Sequence, residues 1–160
     1  MSAWATLAGG FVGTLVLTTA LRTANEVGVT RVDLPFLLGT AVTGDRVRAK
    51  ALGYLLHLAA GEAFALVYYA IFVAIDTSGW QLGALFGLLH GIVSTTALVN
   101  VLLPVVHPRM GSELSAANSS PLIEPPGFLM LNYGRGTPIA TLLAHVAYGA
   151  IVGGFASMAG

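Results

Sequence analysis

The chain contains no cysteine and few charged residues. Its 160 residues include seven Lys and Arg and seven Asp and Glu, so the formal net charge is zero. Without cysteine, disulfides, thiolate metal sites, iron–sulfur clusters and cysteine nucleophiles are excluded. A net charge of zero lacks the basic excess of a nucleic-acid-binding protein. With 56% hydrophobic residues, 9% charged residues and a mean hydropathy of +0.82, the chain has too little charge for the surface of a soluble domain.

Motifs of soluble enzymes are also absent from the sequence. It contains no P-loop, no Rossmann fingerprint, no His-Glu-x-x-His zinc motif and no Gly-x-Ser-x-Gly elbow. Soluble-enzyme chemistry is therefore not expected.

Four long apolar runs are the main feature that the sequence does have. A hydrocarbon core of about 30 Å needs roughly 20 apolar residues in a helix. The runs predict spans at about 3–27, 49–75, 80–106 and 138–158. We therefore expect residues 1–160 to form one all-α domain, an integral membrane four-transmembrane-helix bundle in contact with the lipid bilayer.

Basic residues occur only within or beside two of the three gaps between these runs. Because short loops rich in Lys and Arg stay in the cytoplasm, residues 28–48 and 107–137 are expected to be cytoplasmic loops. This predicts a multi-pass protein of the cell inner membrane with both termini extracytoplasmic. Both loops are long for so small a protein, so we expect them to carry function or to pack as partial elements. The basic residues are Arg22, Arg31, Arg46, Arg48, Lys50, Arg109 and Arg135.

Small residues recur at helical spacing in every span. In lipid, close approach of backbones replaces the hydrophobic drive for helix association, so such stripes predict helix contacts. The stripes are Gly9 and Gly13, Gly53 and Gly61, Gly83, Gly87 and Gly91, and Gly149 and Gly153.

The second half of the chain matches the first in consistent order. Residues 18–21, Thr-Thr-Ala-Leu, recur at 95–98, and the His57-x3-Gly61 motif recurs as His145-x3-Gly149. The matches predict two parallel helical-hairpin repeats, with chance alignment of similar apolar sequences as the alternative. At ~1.5 Å per residue both histidines lie roughly 11–12 Å from the cytoplasmic edge, so the two imidazoles can share a ligand.

Ionisable side chains inside spans are costly and predict function. Histidine is the commonest metal ligand and an axial ligand of haem, so we expect His57 and His145 to bind a cofactor between spans two and four. Haem is one candidate, since a glycine four residues from each histidine leaves room for a flat macrocycle. A transition metal, iron, manganese, copper or zinc, is the other, in a redox, transport or sensing role. Its further ligands would come from Glu26, Asp33, His107 or Glu124.

Two alternatives stay open. In the first, the histidines only hydrogen-bond across helix contacts, and the protein is a structural accessory subunit whose glycine stripes dock other membrane subunits or further copies in a homo-oligomer. In the second, Glu62 and His90, at similar depth near mid-membrane, carry protons or a small solute. Arg22 and Glu26 stand four residues apart near the boundary and predict an ion pair that reaches toward the interface.

Residues 143–153, the motif Tyr54-Leu-Leu-His57 and residues 64–68 resemble a group of small, uncharacterised bacterial four-helix membrane proteins. The resemblance covers most of the spans. It implies a bacterial inner-membrane protein, and it assigns no activity and no site residue.

Overall fold

The described part of the chain is built from helices alone. The structure, a computed structural model, describes residues 1–111 and 123–158, so part of the second basic loop lies outside it. These residues form helices and no strand, which confirms the all-α expectation. The helices are α1 (Ala3–Glu26), α2 (Leu34–Val42), α3 (Arg46–Ala74), α4 (Trp80–Val106) and α5 (Thr137–Met158), with a 3₁₀ segment at Phe128–Tyr133.

Four of these helices, α1, α3, α4 and α5, are long and apolar enough to cross a membrane. They begin and end within three residues of the expected spans. The largest difference is at the start of α3, where the Asp45 carboxylate accepts hydrogen bonds from the backbone N–H groups of Val47 (2.9 Å) and Arg48 (2.8 Å). This cap starts the helix before the apolar run begins.

The first basic loop contains the short helix α2, which packs on α3. The Asp33 carboxylate accepts a hydrogen bond from the backbone N–H of Phe36 (3.0 Å), and Pro35 stands in the first turn, where its fixed φ favours a helix. A methyl group at Gly53 would overlap the carbonyl oxygen of Pro35. This loop therefore packs as a partial element, as expected for its length.

Glycine contacts hold α4 against α5. A methyl group at Gly83 would overlap the carbonyl oxygen of Gly149, and one at Gly87 would overlap that of His145. On α1, a methyl group at Gly13 would lie 2.9 Å from the Tyr148 ring of α5. The interpretation of the glycine stripes as helix contacts is confirmed.

Aromatic side chains separate α3 from α4. The Phe72 and Phe86 rings stack with centroids 5.6 Å apart, and the Tyr68 ring meets Phe86 edge-on at 5.9 Å. By contrast, α5 packs closely on both α1 and α4. If the two halves were equivalent repeats, the contact of α1 with α5 would match the contact of α4 with α3. The first contact is close and the second is spaced by aromatic rings, so the internal repeat stays a prediction.

The surface of the bundle is apolar around its middle and charged at one end. Large side chains such as Leu55, Leu85 and Leu143 are exposed on the outer faces of α3, α4 and α5. Because α1 and α4 end where α3 and α5 begin, all seven basic residues lie at that end, here called the basic end. Trp4 and Trp80 are exposed at the opposite end.

Candidate functional site

A cavity of about 270 Å³ lies between the four long helices, in the half of the bundle nearer the basic end. His57 of α3, His90 of α4 and His145 of α5 all line it. The rest of its wall is largely apolar, and α2 and Met130 border it at the basic end. We call this space the histidine cavity. Its other lining residues include Leu17, Leu38, Phe64, Leu98, Leu102 and Val106.

His57 is held by a threonine of α1. The Thr18 hydroxyl donates its one hydrogen to the carbonyl oxygen of Thr14 (2.7 Å), so it accepts from Nδ1–H of His57 (3.0 Å). In the neutral ring this leaves Nε2 without a proton. No group among the described residues bonds to that Nε2 atom, so this ring in the cavity wall keeps an unpaired lone pair.

His145 has the same protonation pattern, reached in another way. Its Nδ1–H donates to the carbonyl oxygen of Thr141, one turn earlier in α5, at 2.8 Å. A carbonyl oxygen only accepts, so the neutral His145 ring also has an unprotonated Nε2. A ring N–H bonded to a backbone carbonyl or hydroxyl, with the other nitrogen free, is the usual arrangement of a ligating histidine.

His90 packs between other rings of the cavity. Its centroid lies 3.8 Å from that of Phe64 and 4.8 Å from that of His145. The Tyr68 hydroxyl lies 3.4 Å from Nδ1 of His90, where either group can donate. The contacts therefore do not select one tautomer of His90, in contrast to His57 and His145.

A threonine hydroxyl in the cavity wall lacks a partner. Thr141 is only 2% exposed and lines the cavity, and its Oγ1 atom has no hydrogen-bond partner among the described residues. A buried hydroxyl without a partner costs about 1–3 kcal/mol, so the site has an unused polar group beside His145.

The wall of the cavity on α4 is a π-helix. Residues Ser94–Leu102 form this wider helix between two α-helical segments of α4, and Ser94, Leu98 and Leu102 from it line the cavity. π-Helical turns are rare in proteins, and those that occur are often found at functional sites. The wider turn moves side chains out of the α-helical register.

A smaller polar space meets the cavity at His57. This space, the polar crevice, has a volume of about 110 Å³ and runs toward the basic end. Its lining includes Thr18, Arg22, Glu26, Asp33, Lys50, Tyr54 and His57. His57 thus lines both spaces.

Of the further metal ligands expected from the sequence, Glu26 and Asp33 line the polar crevice, and each is near a basic side chain. Glu26 Oε1 lies 2.9 Å from Arg22 Nε, which confirms the expected ion pair, and Asp33 Oδ2 lies 3.5 Å from Lys50 Nζ. Glu124 lines neither space, and its carboxylate lies 3.6 Å from Arg31. Within residues 1–111 and 123–158, no group of three His, Asp or Glu side chains is placed to hold a metal ion.

His107 lies outside both spaces and is bonded on both ring nitrogens. Nε2–H donates to the carbonyl oxygen of Leu37 (3.2 Å), and Nδ1 accepts from the backbone N–H of Arg109 (3.1 Å). Burial lowers the pKa of His107, and the neighbouring Arg109 lowers it further, whereas the Leu37 bond raises it. The structure gives this residue the role of joining α2 to the end of α4.

Glu62 of α3 and His90 of α4 are not in contact: they lie on different sides of α3. The half-buried Glu62 carboxylate lies beside Gly10 of α1, whereas His90 faces Phe64 in the histidine cavity.

The space beside the glycines that follow the two site histidines is occupied by protein. A methyl group at Gly61 would meet the Thr14 hydroxyl, and one at Gly149 would meet the α4 backbone. These glycines serve helix packing and leave no room for a macrocycle at those points.

Sequence reasoning did not identify Thr18, Thr141 and Tyr68 as site residues. In the sequence, Thr18 is distinguished only as the first residue of the repeated Thr-Thr-Ala-Leu segment. Its position one helical turn after Thr14, on the buried face of α1, is the signal that would have placed it near the site.

Comparison with known proteins finds no matching family model, no similar curated protein and no similar solved structure. The resemblance to small bacterial membrane proteins stays a prediction, and any function must be argued from the geometry of the chain itself.

Proposed function

We propose that this is an integral membrane protein that binds a lipid-soluble small molecule in the histidine cavity. The polar head of this small molecule would lie against Nε2 of His57 and His145, and its apolar body would lie against the leucine-rich wall of the cavity. The observation that carries the proposal is that two buried histidines, on different helices, each keep a free Nε2 lone pair at one apolar cavity.

The chemistry of the wall narrows the class of ligand. Two unprotonated ring nitrogens accept hydrogen bonds, and the Thr141 hydroxyl can donate or accept one. The rest of the wall is mainly apolar, as in most small-molecule sites. The best match is an amphipathic molecule whose head carries O–H or N–H donors, such as an aromatic or isoprenoid alcohol.

A second candidate is a haem or a transition metal bound through the same two nitrogens. The Nδ1–H bonds of His57 and His145 favour it, since they orient each ring as in known metal-ligating histidines. A metal alone would need ligands beyond these two imidazoles, for which Glu26, His107 and Glu124 are engaged elsewhere.

The membrane location and orientation are part of the proposal. The exposed apolar belt of the four long helices supports insertion, and Trp4 and Trp80 suit an interface at the end away from the basic residues. The basic end then faces the cytoplasm of a bacterial cell, and both termini lie outside.

Native mass spectrometry with an absorption spectrum, on protein purified from its own membrane in mild detergent, tests the proposal. We expect the wild type to retain one small molecule of defined mass and a His57→Ala, His145→Ala double variant to lose it. A matched control is Leu55→Ala with Leu143→Ala, because these leucines lie on the same helices but point outward, each 64% exposed. If the alanine variants fail to fold, His57→Gln with His145→Gln keeps polar groups of similar size.

The outcomes separate the hypotheses. A Soret band or a stoichiometric metal that the double variant loses would select haem or metal. A molecule retained equally by the double variant would contradict the site. Wild-type protein that holds no small molecule and co-purifies with other subunits would favour the accessory-subunit hypothesis instead.

A further inference from the structure

His57 stands at the boundary between the polar crevice and the histidine cavity. Leu21 and Leu34 line both spaces as well, so the two spaces share a wall at this point. The ring is only 9% exposed, yet it is the one histidine that lines both of them. Its Nδ1 atom is bonded to Thr18, which lines the crevice, while its Nε2 atom has no bonding partner among the described residues.

The crevice reaches solvent at the basic end. The side chains of Arg22 and Glu26 are 60% and 62% exposed, and those of Lys50 and Asp33 are 51% and 39% exposed. Protons can therefore reach the crevice from the aqueous phase, and its two carboxylates can take them up and release them. The histidine cavity opens instead between apolar side chains, with Leu102 and Val106 of α4 exposed beside it.

We infer that His57 exchanges protons between the polar head of the cavity ligand and solvent in the polar crevice. This inference rests on the proposed function and narrows the ligand to a molecule whose head group gains or loses a proton while bound. A ligand O–H bond breaks as an N–H bond forms at Nε2, and the Nδ1–H proton leaves to solvent beside Thr18. No electrons move. The ring is left with its proton on Nε2, and the reverse transfer restores the first tautomer.

Several charged or titratable groups share these two spaces with His57, and each contributes to its environment. One basic and one acidic group are paired on each side of the crevice, so the crevice adds no large charge of either sign. The groups are Arg22 and Glu26 of α1, Asp33 before α2, Lys50 and Tyr54 of α3, His90 of α4, and His145 and Tyr148 of α5.

His145 provides an internal comparison. It has the same Nδ1–H pattern and a similar exposure, 6%, but it lines only the histidine cavity. A property that depends only on burial or on the tautomer would be shared by the two rings. Proton exchange with the crevice would instead be faster for the ring of His57 than for the ring of His145.

The test is exchange of the ring N–H protons with solvent, measured by NMR on ¹⁵N-histidine-labelled protein in lipid nanodiscs. Signals are assigned with single His→Gln variants. We expect the Nδ1–H of His57 to exchange at least about tenfold faster than that of His145, because access to solvent sets such rates. Glu26→Gln with Asp33→Asn should slow the exchange of His57 and leave His145 unchanged.

Equal exchange of the two rings would overturn the inference, and so would fast exchange of His57 that the carboxylate variants do not slow. Since exchange is measured on the protein in lipid alone, its result is independent of ligand retention in mass spectrometry. A retained ligand with slow exchange refutes this inference and leaves the proposed function. Fast exchange with no retained ligand refutes the proposed function and with it the transfer of protons to a ligand, and leaves only the access of His57 to the crevice.

Discussion

At the residue scale, the proposed function depends on which nitrogen of each histidine carries the proton. The Thr18 hydroxyl and the Thr141 carbonyl select the same tautomer in His57 and His145 by different routes. Both routes leave Nε2 without a hydrogen-bond partner among the described residues, and a buried acceptor left unpaired is costly in a ring that only fills space between helices. The threonine partner can be removed without changing the size of the side chain, which makes it open to experiment.

Thr18→Val should weaken retention of the cavity ligand. The change removes the acceptor that holds His57 with its proton on Nδ1 and its Nε2 unprotonated. A hydrogen bond of this kind is worth about 1–3 kcal/mol, which corresponds to roughly 5- to 150-fold in affinity. Thr19→Val is the matched control, because the neighbouring Thr19 is exposed on the outer face of α1. Ligand occupancy in native mass spectra measures the effect, and equal occupancy in the two variants would contradict the assigned role of Thr18.

His107 should make the packing of α2 against the end of α4 sensitive to acid. Burial lowers the pKa of His107 below its ordinary value of about 6.5, so the folded protein binds fewer protons here than the unfolded chain. The stability that this ring contributes is therefore fully present above about pH 6.5 and is lost as the pH falls through the lowered pKa.

His107→Asn tests this, because its side-chain oxygen can replace Nδ1 as the acceptor for the Arg109 N–H and does not titrate. We expect the midpoint of thermal unfolding to fall less in acid for this variant than for the wild type. The same acid-induced fall in both proteins would show that other groups carry the pH dependence.

At the scale of elements, close backbone contacts position the cavity wall. The glycines of α4 and α5 let these helices touch, while aromatic rings hold α3 and α4 apart and leave the cavity between them. Gly149→Ala should therefore destabilise the bundle by about 1–3 kcal/mol, the usual cost of overpacking, because its methyl group would meet the α4 backbone. Gly154→Ala should be neutral or slightly stabilising.

Gly154 is a matched control because it lies in the same helix and its nearest neighbour would be 3.9 Å away, an ordinary contact. Alanine also favours a helix over glycine by about 1 kcal/mol. Unfolding in detergent with increasing denaturant measures both variants. Equal stability of the two would mean that α4 and α5 are not in backbone contact.

The positions of the long helices could be predicted from the apolar runs, because length and hydropathy decide which segments can span a bilayer. The start of α3 and the presence of α2 depend on the caps Asp45 and Asp33, which lie outside those runs. Helix depth predicted that His57 and His145 lie at one level, and both line one cavity. Depth alone could not show that Glu62 lies beside α1 while His90 lines the histidine cavity, since that depends on how each helix is rotated.

At the scale of the whole molecule, the asymmetry of charge predicts the orientation in the membrane. The chain has no cysteine, so single cysteines report position without background. Thr77→Cys, in the exposed turn between α3 and α4, should react with a membrane-impermeant maleimide added outside intact cells. Val47→Cys, exposed at the basic end, should react only after the membrane is opened. The reverse pattern would invert the proposed topology.

The central claim is that a small molecule occupies the histidine cavity in the cell. The most direct test places the photoreactive residue p-benzoylphenylalanine at Phe64, which lines the cavity, or at Leu66, which is 47% exposed on the outer face of the same helix. After irradiation of living cells, the mass of the adduct is measured on the purified protein. We expect one adduct of defined mass at position 64 and a mixture of membrane lipids at position 66. The same lipid mixture at both positions would contradict this claim.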